Sequence, residues 1–132
     1  AGKGITHSEH NLEDEETLLF QIWIQPNLQD AEPTYQQILL NPKDHPNQWN
    51  LIAGDETAPM LIRQNAEVKT AVIEKDQYLE ITARKKVNYV HVISGEVMIA
   101  DHLVKAGDAL VFDETATITA LHDSQMIWFD LP

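Results

Sequence analysis

Between Val87 and Asp113 the chain reads VNYVHVISGEVMIADHLVKAGDALVFD, and this stretch limits the available folds more than any other. Apolar and polar residues alternate with a period of two, the repeat of a strand that buries one face. Turn chemistry interrupts the alternation at Ser94-Gly95, at Asp101-His102 and at Ala106-Gly107-Asp108. Glycine stands where a tight turn needs positive φ. The pattern is that of consecutive short strands joined by tight turns at the heart of a small β-barrel.

The same pattern extends through most of the chain. Further strands are expected over Asn50–Ala53, Met60–Gln64, Val68–Glu74 and Gln77–Ala83. The central stretch and the residues after it supply Tyr89–Ile93, Glu96–Ala100, Ala109–Phe112, Thr115–Ala120 and Gln125–Asp130. Many short strands at this spacing predict a closed sandwich or barrel. Leu18–Gln25, LLFQIWIQ, carries a strong period-two pattern of its own and reads as a strand stopped by Pro26. Residues 26–36 have the composition of a linker, and Arg84-Lys85-Lys86 reads as a solvated turn.

Charge and composition exclude several functions. Nine Lys+Arg stand against 21 Asp+Glu, a net charge of −12 that repels phosphate backbones and argues against direct nucleic-acid binding. No apolar run approaches the roughly 18 residues of a membrane span. The absence of cysteine removes disulfides, thiol nucleophiles and zinc–thiolate sites, and fits a cytoplasmic protein. The run Ala1-Gly2-Lys3-Gly4 leads straight into a motif, as expected of a fragment or a processed chain.

Gly95 and Gly107-Asp108, set within a strand-rich stretch, resemble the centre of a cupin barrel. The run AGKGITHSEHN, followed by LLFQIWIQP and PTYQQ, resembles the pirins, a family of two-barrel cupins with quercetinase-like members. The resemblance covers nearly all of this chain and about the second half of a full-length pirin. It implies an all-β, cupin-type double-stranded barrel (jelly-roll-like) with an extra N-terminal strand segment. Residues 1–26 would be the closing strands of a first cupin, 27–36 a linker, and 37–132 a C-terminal cupin barrel without metal ligands.

Gly4, His7 and Asn11 match the end of the second cupin motif, G-x2-H-x3-N. The resemblance makes His7 and Glu9 metal ligands. On a strand, positions i and i+2 share a face, so an imidazole and a carboxylate would enter one cavity. That donor pair suits a mononuclear divalent metal: iron, with nickel, copper or manganese as alternatives. Glu9 is also the candidate catalytic base toward a substrate hydroxyl. The remaining pirin ligands come from an H-x-H pair, and this sequence contains none. In the second barrel the glutamate slot of the first cupin motif falls on Asn88, and the second motif's slots fall on Asp113, Thr115 and Ile118.

His91 reads as a core or boundary residue able to line the barrel, and Trp23, Met126 and Trp128 as packing residues. His102 and His122 read as turn and loop residues. Two functional readings result. In the first, the complete family member is a metal-dependent dioxygenase acting on a small aromatic substrate, a flavonol such as quercetin, and this chain holds half of the metal site. In the second, the chain is a non-catalytic cupin module serving in packing or protein interaction. Either way, the apolar Leu18–Gln25 segment needs cover, which predicts a homodimer or strand-swapped assembly.

Overall fold

The computed structural model describes residues 4–132; Ala1, Gly2 and Lys3 of the AGKGITHSEHN run lie outside the described residues. Ten strands come after a short 3₁₀ turn at Pro42–Asp44: β1 (Asn50–Gly54), β2 (Met60–Leu61), β3 (Glu67–Ile73), β4 (Tyr78–Ile81), β5 (Val87–Ser94), β6 (Glu96–Ile99), β7 (His102–Lys105), β8 (Ala109–Phe112), β9 (Ala116–Ala120) and β10 (Ser124–Leu131). Nine of them lie where alternation and turn residues put them. The four-residue β7 is additional, formed by its antiparallel ladder with β6.

The strands make a six-stranded sheet, ordered β2-β1-β3-β10-β5-β8, and a four-stranded sheet, ordered β4-β9-β6-β7. The two sheets face each other as the walls of an open barrel, with one shared core between them. They do not close into a continuous ladder, which corrects the expectation of closure. At the β7/β8 side, turn bonds replace a ladder: Gly107 N donates to Val92 O, Val92 N to Asp108 O, and Ala106 N to Gly95 O.

Alternation decides what lies between the sheets. On β5, Asn88, Val90 and Val92 are fully buried, whereas Tyr89, His91 and Ile93 face the other way. Ile73, Ile81, Val97, Ile99, Ile118 and Met126 complete the interior. Each such side chain contributes about 1.5–3 kcal/mol on burial. A smaller cluster on the outer face of the large sheet joins Ala53, Val68 and Phe129 to Ile24, Met60, Tyr89 and Leu131.

One turn requires glycine. Gly95 has φ +85°, and a Cβ there would collide with the Ser124 side chain and the Asp123 carbonyl. Ser124 Oγ accepts from Glu96 N at 3.0 Å and donates to His122 O at 2.6 Å, so the start of β10 is bonded onto the β5–β6 turn.

Leu18–Gln25 departs from expectation. The segment has the alternation of a strand but pairs with none of the described strands, and so forms no ladder. A strand is defined by its hydrogen-bonded neighbour, which the pattern alone does not supply. The segment is held at its far end instead. Ile24 packs on the outer cluster, the Gln64 side chain donates to Gln25 O at 2.9 Å, and Asn27 N donates to Arg63 O at 2.8 Å. No helix among the described residues is long and apolar enough to cross a membrane.

Candidate functional site

His7 and Glu9 sit on the segment before the barrel. Their side chains lie on one side of the chain, with His7 Nε2 3.8 Å from Glu9 Oε1, and are 48% and 53% exposed. Asn11, the last position of the same motif, turns to the backbone: its Nδ2 donates to Glu15 O at 2.6 Å, and its Oδ1 accepts from Glu13 N at 3.0 Å. This Asx turn shapes the acidic loop beyond it. Among the described residues no group of three His, Asp or Glu side chains is placed to hold a metal. His7 and Glu9 are therefore two donors without a third, and they do not by themselves fit a complete mononuclear site, which takes more protein ligands than two.

The other residues singled out from the sequence separate by sheet face. His91 does not line the interior; it shares the outer face with Tyr89 and meets the edge of the Phe20 ring, centroids 5.4 Å apart. The cause is the period of two, because Asn88, Val90 and Val92 take the inward parity. Trp128 and Met126 are core residues, whereas Trp23 is 85% exposed. His102 opens β7, and His122 lies 3.7 Å from Glu96 across the turn. Arg84 is a turn residue, its guanidinium 3.8 Å from Glu67.

Two features were not read from the sequence. The first is an apolar groove of about 440 Å³ on the outer face of the large sheet, between Ile22–Gln25 and the side chains of Tyr89, Phe129 and Leu131. Beside it Leu18, Leu19, Phe20 and Ile22 are exposed.

The second is a polar row inside one end of the barrel. Strand register places Glu67 of β3 opposite Asp130 of β10, and Asp130 opposite Asn88 of β5. One step further in, Lys69 lies opposite Trp128, and Trp128 opposite Val90. Lys69 Nζ is 2.6 Å from Glu67 Oε2 and 4.2 Å above the Trp128 ring. Trp128 Nε1 donates to Asn88 Oδ1 at 3.0 Å, and Trp49 packs on the indole with centroids 5.2 Å apart.

The hydrogen bond and charge of Lys69 hold the Glu67 carboxyl below the usual glutamate range. Burial pushes the Asp130 carboxyl up; Lys85 opposes this, the Glu67 charge adds to it, and Lys69 opposes it more weakly. The signal for this row was parity. Glu67 and Lys69 share theirs with Ala71 and Ile73, and Asp130 shares its own with Met126 and Trp128. Asn88, which falls on the glutamate slot of the cupin motif, is the acceptor for the Trp128 indole N–H.

Comparison with known proteins accounts for this architecture. Residues 51–131 match the family described as the quercetinase C-terminal cupin domain. The chain is 32% identical over 136 residues to the quercetin 2,3-dioxygenase of Escherichia coli K12, covering all of this chain and 58% of that protein. It is 31% identical over 136 residues to a pirin-like protein of Caulobacter vibrioides, covering 98% of this chain and 59% of that one. It thus spans under two thirds of the length of the curated relatives it matches. Its fold resembles that of the bacterial pirin YhhW from Escherichia coli, solved in complex with nickel(II), with a TM-score of 0.74 over 83% of this chain and 48% of that one, at 22% identity. On the match over most of its barrel, the chain belongs to the pirin family, through the quercetinase-type C-terminal cupin domain.

Proposed function

We propose that this chain is the second-barrel portion of a pirin-type dioxygenase and contributes half of that protein's metal site. The supporting observation is the His7–Glu9 pair, on one side of the chain at 3.8 Å, within a G-x2-H-x3-N run. In this reading residues 1–26 belong to a first cupin, 27–36 link the barrels, and 37–132 form the second. A mononuclear divalent metal (iron, with nickel, copper or manganese as alternatives) would need the H-x-H pair of a first barrel as well. When bound, such a metal supplies a centre for O2 chemistry. This chain's part is to offer one imidazole and one carboxylate to it, with Glu9 also able to take a proton from a hydroxyl of a flavonol substrate. The protein would act in the cytoplasm.

The test is complementation. The chain is co-produced with a separate first-barrel half that carries H-x-H, and metal content and O2 uptake on quercetin are measured. Near-stoichiometric metal and uptake, both lost in His7→Ala, are expected. A folded complex with no metal and no uptake overturns this reading.

A second reading is favoured by the exposed Leu18, Leu19 and Trp23 beside the apolar groove. In it the chain is a non-catalytic cupin module that covers this strip by homodimerisation or strand exchange. It predicts a dimer in light scattering that dissociates when the strip is made polar.

A further inference from the structure

Among the described residues, Asp130 is the only carboxyl with both oxygens enclosed and without a hydrogen-bond partner, and the Asn88 Nδ2 beside it has none either. Both residues are fully buried. Two of the surrounding cations are directed at Glu67. Lys69 is bonded to Glu67 and lies on the Trp128 ring, and Arg84 points to Glu67. From the β4–β5 turn Lys85 contributes its charge and a backbone N–H directed at the carboxyl, short of full hydrogen-bond geometry. Directly across β3 stands a second carboxylate, Glu67. Two facing carboxylates with one fully enclosed cannot both remain charged at low cost.

We propose that Asp130 is a proton-binding site, and that its proton completes a hydrogen-bonded row, Lys69–Glu67–Asp130–Asn88–Trp128, that locks this end of the barrel and loosens when the proton leaves. The protonated carboxyl donates its O–H to Glu67 and accepts from Asn88 Nδ2. Asn88 Oδ1 already accepts from Trp128, and Glu67 already holds Lys69. Each orphan atom then has a partner. Loss of the proton leaves a buried carboxylate facing Glu67 at the point where β3, β10 and β5 meet. The row is thus a pH-sensitive latch between three strands, independent of any metal. Linkage gives its direction: the bound proton favours the native state, so the latch is closed on the acid side of the Asp130 titration and opens as pH rises through it.

The test tracks the Asp130 carboxyl carbon by NMR in the full chain across pH, with Asp130→Asn to assign the resonance. A midpoint above the ordinary value of 3.8 is expected, and a lower midpoint in Glu67→Gln. Amide protection factors of residues 67–69, 87–89 and 128–131 should fall above that midpoint in the native chain and stay level in Asp130→Asn, whose amide makes the same bonds at every pH. A midpoint at or below 3.8 overturns the proposal, as does an equal loss of protection in Asp130→Asn.

Discussion

Trp128 donates its indole N–H to Asn88 Oδ1 at 3.0 Å across neighbouring strands, in a region where both side chains are almost wholly removed from water. The bond ties β10 to β5, neighbours inside the large sheet. Asn88→Ala should leave the indole N–H enclosed without a partner, at a cost of about 1–3 kcal/mol. Trp128→Phe keeps an aromatic face for Lys69 but leaves Asn88 Oδ1 without its donor and removes part of the buried indole, and should cost at least as much as Asn88→Ala. Urea unfolding read by fluorescence and circular dichroism gives both values. If the bond couples the pair, the double variant should lose less than the sum of the single losses.

Gly95 and Gly107 both have positive φ, +85° and +89°, but only Gly95 faces a wall. Gly107→Ala should cost roughly 1 kcal/mol, the price of the conformation alone. Gly95→Ala meets the Ser124 side chain and the Asp123 carbonyl as well, and should cost clearly more. Equal midpoints for the two variants in urea would show that the start of β10 yields.

Glu67 and Asp130 impose opposite pH dependences. The Glu67 carboxyl is held below its usual range by Lys69, so its contribution is present above the unfolded-state value and disappears as pH falls through the folded one. The Asp130 carboxyl is pushed up by burial, so its contribution is full at low pH and disappears as pH rises. Glu67→Gln should flatten the acid limb of a stability–pH curve, and Asp130→Asn the rise-side loss. Denaturant midpoints measured at closely spaced pH values separate the two limbs.

Trp23 is 85% exposed and borders the groove formed with Tyr89, Phe129 and Leu131. In the self-associating reading, Trp23→Ser should shift the chain from dimer to monomer in size-exclusion chromatography with light scattering, without changing its stability by more than about 0.5 kcal/mol, as for an exposed site. An unchanged mass at every concentration removes Trp23 from the interface.

The barrel was legible because strand alternation and turn residues are local. Val90, Val92, Val97 and Ile99 show their inward parity over a few residues, and Gly95 marks its turn without reference to the rest of the chain. β7 was missed because only its ladder with β6 defines so short a strand. At the candidate site, His7 and Glu9 were legible from motif spacing. Alternation sets His91 on one face with Tyr89 and Ile93, but which face turns inward is decided by the packing of Asn88, Val90 and Val92.

What the amino-acid order decides here is the set of strands and the side of each strand that is apolar, since steric preference and a two-residue repeat act within each segment. What the fold alone decides is partnership. Glu67, Asn88 and Asp130 are far apart in the chain, and only the register of β3, β10 and β5 sets them in one enclosed row. Leu18–Gln25 makes the same point from the other side. It has every local mark of a strand, yet hydrogen bonding in a sheet is a relation between two segments, and none of the described strands pairs with it.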